Sequence, residues 1–161
     1  MIIMYTMSTL YHAFPFEKVK RLFRIFDHSS IPILIAGSYT PFCLIALGGN
    51  PKGIAVVCTV WRCAVLAIGM NVINLDRFEK YTLIIYIVMG WAVVFALKDI
   101  VAALSAPRFR LLLAGGLAYT IGIIFYKLKI RYMHSVWHLF VTLGSFLHFL
   151  CVVCYVLPMT Y

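Results

Sequence analysis

Residues 133–157 read MHSVWHLFVTLGSFLHFLCVVCYVL, a run without a single lysine, arginine, aspartate or glutamate. A helix that crosses a bilayer needs about 20 consecutive, mostly apolar residues, so this run is long enough to span a membrane. His134 and His138 stand at its beginning, four residues apart. On a helix, two such residues lie on one face about 6 Å apart along the axis, and both imidazoles can reach one metal ion.

The whole chain has the composition of a membrane protein. Of its 161 residues, 64% are hydrophobic and 12% are charged, whereas soluble domains contain roughly 25% charged residues. The formal net charge of +9 does not indicate a nucleic-acid partner, because nearly all the lysines and arginines lie in short gaps between apolar runs. We therefore predict an integral membrane protein that binds no nucleic acid.

The apolar runs predict an all-α membrane helix bundle that forms a single transmembrane domain over residues 1–161. A partial helix is expected near the N-terminus, because residues 1–15 are apolar but too short to cross a bilayer alone. We interpret it as the second half of a helix in a chain truncated at its N-terminus. Five full spans are predicted after it, at 26–47, 53–73, 81–104, 109–126 and 133–157.

The distribution of basic residues predicts the orientation of these spans. The gaps at 15–25, 74–80 and 127–132 contain nine lysines and arginines, and those at 48–53 and 98–110 contain four. Cytoplasmic loops are enriched in lysine and arginine, so we expect the first set to face the cytoplasm. The C-terminus is then predicted to lie outside.

A second pair near the N-terminus repeats the spacing of the histidine pair. Ser8 and His12 are four residues apart, and Asp27 opens the next span. In the predicted topology His12, Asp27, His134 and His138 all lie near the cytoplasmic surface. Three neutral imidazoles leave zinc one open position for water, which is the pattern of a catalytic site.

The residues near this predicted zinc ion suggest catalytic roles and also permit structural ones. A carboxylate such as Asp27 is suited to act as a general base, and Ser8 to orient the water or to donate to a developing oxyanion. Alternatively, Asp27 only caps its helix, Ser8 bonds to a carbonyl in its own helix, and the histidines join helices through hydrogen bonds. We expect His148 to be a hydrogen-bonded interior residue and His28 a solvated one at the membrane interface.

Several motifs in this chain resemble those of the hemolysin III family, bacterial relatives of the progestin and adipoQ receptors. The wider superfamily includes alkaline ceramidases. The resemblance covers essentially the whole chain. It rests on STLYH at 8–12, FDHSSI at 26–31, AGSYTPF at 36–42, MGW at 89–91, GGLAYTIG at 115–122 and HSVWHLFV at 134–141.

The resemblance implies seven spans with the N-terminus inside, located in a bacterial plasma membrane. The family's first span and the start of its second have no counterpart here, and with them the family's early Glu/Asn/His-bearing motif, in line with the predicted truncation. The resemblance further implies that His12, His134 and His138 bind Zn²⁺, and that Asp27 and Ser8 contact the metal-bound water or its surroundings.

Two functions remain open from the sequence. The first is a zinc-dependent hydrolase that cleaves an amide in a membrane lipid, for which a ceramide-like molecule is the model substrate. The second is a non-enzymatic membrane protein, either a cytolysin or channel or a factor in membrane homeostasis, in which zinc only joins helices. A pore would need polar stripes along several spans, and the sequence offers little beyond Arg62, Asn71 and Asn74.

Overall fold

The computed structural model describes residues 2–48, 50–103, 106–128 and 130–160, and their regular structure is helical throughout. The predicted all-α class is therefore confirmed. The α-helices are α1 (Ile2–Ala13), α2 (Glu17–Pro41), α3 (Pro51–Trp91), α4 (Leu97–Ala103), α5 (Ala106–Lys127) and α6 (Met133–Cys151). A π-helical turn, Phe42–Ala46, extends α2, a 3-10 turn, Ala92–Ala96, joins α3 to α4, and a π turn and a 3-10 turn, Val152–Val156 and Leu157–Thr160, follow α6.

Four helical stretches in the described part of the chain are long and apolar enough to cross a membrane. They are Glu17–Ala46, Pro51–Ala102, Pro107–Lys127 and Ser135–Val156. The sequence predicted five spans, and the difference arises in the second stretch, which contains two of them. A straight helix of its 52 residues would be about 78 Å long, more than twice the thickness of a hydrocarbon core of about 30 Å.

Asn74 interrupts this long stretch. Its backbone is extended rather than helical, with φ −163° and ψ 94°, and its side-chain Oδ1 accepts a hydrogen bond from the backbone N–H of Arg77 at 3.0 Å. This is the arrangement of an N-cap, in which a side-chain oxygen binds the N–H three residues later. A new helix therefore starts after Asn74, inside the segment 74–80 that we had predicted as a connector.

The helix α2 begins about nine residues earlier than the predicted span. Residues 17–25, which we predicted as part of a basic connector, form its first two turns. Lysine, arginine and glutamate are good helix formers, so the helix continues beyond the apolar residues that mark the membrane crossing. Pro15 precedes this helix, and Pro107 occupies the first turn of α5, where a proline is tolerated.

The chain divides into two compact units. The first contains Met1–Thr40 and Ile54–Ala92, and the second contains Pro41–Gly53 and Val93–Tyr161. Within the first unit, small side chains such as Ala36, Ala64 and Ala67 are fully buried.

In the second unit, glycines allow α5 and α6 to pack closely. A Cβ atom on Gly115 would lie 2.2 Å from Cδ2 of His148, and one on Gly122 would lie 3.0 Å from Cβ of Phe140. The two helices therefore approach closely at these two positions. Gly116 has no atom within 4 Å of its Cβ position and takes no part in it.

Candidate metal centre

The α1 pair has the predicted helical spacing. Ser8 is buried, whereas His12, one turn later, is exposed. Nδ1 of His12 lies 2.9 Å from the backbone oxygen of Ser8. Because a carbonyl oxygen only accepts hydrogen bonds, Nδ1 carries the proton, and Nε2 is the nitrogen whose lone pair suits a metal. A backbone carbonyl that orients a histidine in this way is common behind metal-ligating imidazoles, so His12 fits the proposed role.

Asp27 lies inside α2, ten residues after the helix begins at Glu17. The alternative that Asp27 caps this helix is therefore wrong. Only 8% of the residue is exposed, and the hydroxyl of Ser30 donates to its backbone oxygen at 2.6 Å. An acidic side chain buried in an apolar segment is stable only with cationic or hydrogen-bonding neighbours, and in membrane proteins it usually marks a functional site.

A buried polar network lies beside Asp27 in the first unit. The hydroxyl of Tyr86 donates to the backbone oxygen of His28 at 3.0 Å, and Nδ2 of Asn71 donates to the Tyr86 hydroxyl at 3.0 Å. Asn71 is fully buried. The network ties the residue after Asp27 to both halves of α3, and so it fixes the position of this turn of α2.

This network was not predicted from the sequence, in which Asn71 stands out only as a polar residue and Tyr86 does not stand out at all. A buried asparagine within an apolar stretch was the available signal, since such a side chain needs hydrogen-bond partners. The group that accepts the hydrogen bond from Tyr86 is the backbone carbonyl of His28. Every residue has such a carbonyl, so the sequence does not show which one is used.

The second histidine pair lies in the first two turns of α6, which begins at Met133 after Tyr132 in a left-handed conformation with φ 70°. The helical spacing predicted for His134 and His138 is therefore confirmed. His138 is half-buried, and its ring centroid lies 4.4 Å from that of Trp137. The side chain of His134 lies outside the described part of the structure.

The predicted ligands are divided between the two compact units. His12 and Asp27 belong to the first, and His134 and His138 to the second. Among the described side chains, which do not include that of His134, no three His, Cys, Asp or Glu are grouped as metal ligands. The complete zinc site therefore stays a prediction, while its local features fit a metal.

The other two histidines have different surroundings. His148 is confirmed as a hydrogen-bonded interior residue, since its Nε2 donates to the backbone oxygen of Leu112 at 3.1 Å. His28 is half-buried rather than solvated, and its Nδ1 donates to the backbone oxygen of Arg24 at 2.9 Å. Because His28 makes the same bond as His12, that bond alone does not identify a metal ligand.

Comparisons with known proteins give one consistent result. A family model described as "Haemolysin-III related" matches residues 1–149. The chain is 44% identical to "Hemolysin-3" of Bacillus cereus over 159 residues, which cover 98% of this chain and 72% of that protein. It is 41% identical to the "Hemolysin-3 homolog" of Bacillus subtilis (strain 168) over 156 residues, or 96% of this chain and 73% of that protein.

A more distant human relative is also similar to this chain. It is the "Monocyte to macrophage differentiation factor", with 26% identity over 156 residues that cover 91% of this chain and 63% of that protein. No solved structure matches the chain.

Proposed function

The chain belongs to the haemolysin III-related family of membrane proteins, and we propose that it carries an intramembrane zinc site near the cytoplasmic face. The proposed ligands are His12, His134 and His138. The observation that supports a metal is the helical spacing of His134 and His138 at the start of α6, taken together with the bond from Nδ1 of His12 to the Ser8 carbonyl at 2.9 Å. That bond leaves Nε2 of His12 as the nitrogen whose lone pair suits a zinc ion.

The proposed topology has five membrane crossings after α1, with two of them in the stretch Pro51–Ala102 on either side of Asn74. The N-cap at Asn74 favours this division, because it starts a new helix in a polar segment between two apolar runs. With the more basic gaps in the cytoplasm, the C-terminus lies outside the plasma membrane of a bacterium. A phosphatase that is active only outside the cytoplasm, fused after residue 161, should be active if this orientation is correct. An inactive phosphatase fusion, together with a fluorescent signal from a cytoplasmic reporter fused at the same position, would indicate the opposite orientation.

Three neutral imidazoles leave zinc able to act as a Lewis acid towards an amide carbonyl. Asp27, buried in an apolar segment, would take a proton from the attacking water and return it to the leaving amine, as a general base and then a general acid. The Ser8 hydroxyl would donate a hydrogen bond to the oxygen that gains charge. These roles describe a lipid amide hydrolase, with ceramide-like amides as the substrate class.

A second candidate function is structural. In this function zinc would only hold together the helices that carry His12, His134 and His138, without taking part in a reaction. In that case the protein acts without turnover in the membrane, as a homeostasis factor or as the cytolysin or channel that the names of its relatives suggest.

Metal analysis of the purified protein tests the site. We expect the wild type to hold about one zinc ion per chain and His138→Ala to lose it, because two imidazoles bind zinc far more weakly than three. His28→Ala is the matched control, since His28 makes the same backbone bond as His12 but is not a proposed ligand. Equal zinc in wild type and His138→Ala would overturn the ligand assignment.

A hydrolysis assay separates the two functions. Wild type and Asp27→Asn, both checked for zinc, are incubated with an N-acyl lipid in detergent or vesicles, and the released fatty acid is measured. A hydrolase predicts release by the wild type and a loss of at least about a hundred-fold in Asp27→Asn with zinc retained. A zinc-loaded wild type without release supports the structural function instead.

A further inference from the structure

Four basic side chains line one open cavity in the first unit. Lys18, Lys20, Arg21 and Arg24 surround a volume of about 610 Å³ at the start of α2. Helical spacing brings Lys20, Arg21 and Arg24 to one side of the helix. These residues belong to a helix rather than to the connector that the sequence predicted, so their backbone positions are fixed relative to one another.

The cavity has an excess of positive charge. Two carboxylates, Glu17 and Asp76, also line it, so the four cations outnumber them by two. One carboxylate is engaged, since Oδ1 of Asp76 lies 2.7 Å from NH1 of Arg24. The remaining charge is suited to an anion with more than one oxygen, which arginine and lysine bind through several donors at once.

Two contacts hold the wall of the cavity in place. The ion pair with Asp76 fixes the guanidinium of Arg24, and the ammonium group of Lys20 lies 5.9 Å from the centre of the Tyr11 ring. Tyr11 also lines the cavity, and its side chain carries a hydroxyl group that can donate a hydrogen bond. These two contacts order part of the cavity wall.

The same turns of α2 present apolar side chains on another side. Leu22 and Phe26 are four residues apart and are 50% and 46% exposed. In the proposed topology, the end of α1, the beginning of α2 and Asn74 all lie at the cytoplasmic surface, at the depth of the lipid headgroups. A phosphate bound there and attached to acyl chains would place those chains against an apolar helix face.

We infer that this cavity binds the phosphodiester headgroup of an anionic phospholipid of the cytoplasmic leaflet. The enrichment of basic residues on the cytoplasmic side accounts for their number, but it does not require four of them to converge on one cavity. The inference rests on the proposed topology and is independent of the zinc site.

Lipid binding by the purified protein in nanodiscs tests the inference. A fluorescent phosphatidylglycerol is titrated in a phosphatidylcholine background, and a fluorescent phosphatidylcholine serves as the reference. Each basic residue that lines the cavity and contacts the headgroup is expected to strengthen the binding of an anionic lipid about five-fold, whereas basic residues more than a Debye length away contribute little. The double variant Lys20→Gln/Arg21→Gln is therefore expected to bind phosphatidylglycerol about thirty-fold more weakly than the wild type.

The matched control removes two charges from another connector that is predicted to be cytoplasmic. Lys127→Gln/Arg131→Gln changes the net charge equally, and neither residue lines the cavity. It should retain the affinity of the wild type to within about two-fold. An equal loss in both double variants would overturn the inference, because it would show that only the overall charge matters.

Two further measurements keep the outcome decisive. Inorganic phosphate is added as a competitor, and displacement of the lipid at equal concentrations would show that a free anion, not a lipid, is the ligand. Lys18→Glu reverses one exposed charge on the cavity wall and is used if the first double variant fails to fold. It should weaken phosphatidylglycerol binding at least five-fold, and unchanged binding would contradict the site. Zinc content, measured in parallel, should be unaffected in all variants.

Discussion

Gly115→Ala should destabilise the second unit through a clash with one ring. The added Cβ would lie 2.2 Å from Cδ2 and 2.5 Å from Nε2 of His148, and real Cβ contacts are longer than both distances. The ring must therefore move. It is held by its hydrogen bond to the Leu112 backbone oxygen at 3.1 Å, and the rings of Phe42 and Tyr119 pack against it with centroids 6.3 Å and 5.5 Å away.

The magnitude follows from these contacts. Overpacking a tight contact costs about 1–3 kcal/mol, and the loss of the hydrogen bond to Leu112 adds about 1 kcal/mol. Replacing a glycine in a helix gains about 0.5–1 kcal/mol in return. The expected net loss is about 2 kcal/mol of unfolding free energy, which lowers the midpoint of thermal unfolding by roughly 5 °C for a protein of this size.

Gly116→Ala is the matched control, since nothing lies within 4 Å of its added Cβ. It should be neutral or stabilise the protein by up to about 1 kcal/mol. Both variants are unfolded thermally in the same detergent and followed by circular dichroism. The reasoning is refuted if the two midpoints agree. It is also refuted if the effects of Gly115→Ala and His148→Ala simply add in the double variant, because a clash between these two residues requires energetic coupling between them.

Two further variants test other contacts by the same assay. Tyr86→Phe removes the hydroxyl between Asn71 and the His28 carbonyl, and leaving both groups unpaired should cost about 1–3 kcal/mol, whereas Tyr81→Phe, at a residue that is 60% exposed, should change nothing measurable. Lys52→Ala breaks the exposed ion pair with Asp99 at 3.1 Å. It should lower the free energy of unfolding by less than about 1 kcal/mol, and by less still at high salt. A larger loss that does not depend on salt would contradict the description of this ion pair as an exposed one.

Apolar run length predicted the helices well and their ends poorly. Hydropathy reports where a helix crosses a membrane, whereas the helix itself continues as long as the residues favour it. Residues 17–25 are rich in helix-forming lysine and arginine and so extend α2 towards the N-terminus. The segment after Asn74 behaves similarly, and only the N-cap geometry of that residue marks the break.

The candidate site shows the same limit. The pairs Ser8 with His12 and His134 with His138 are local, because residues four apart on any helix share a face, and the sequence alone was sufficient to place them. The bond from Tyr86 to the His28 carbonyl joins residues 58 positions apart. Such a contact depends on how the helices pack, and no pattern in the sequence encodes a backbone acceptor.

X-ray absorption spectroscopy at the zinc edge of the metal-loaded protein tests the central claim most directly. The account predicts three imidazole nitrogens at about 2.0–2.1 Å and one further oxygen, without sulfur. The five cysteines of the chain are the natural rival ligands. Sulfur at about 2.3 Å, or a shell with fewer than two imidazoles, would contradict the three-histidine site.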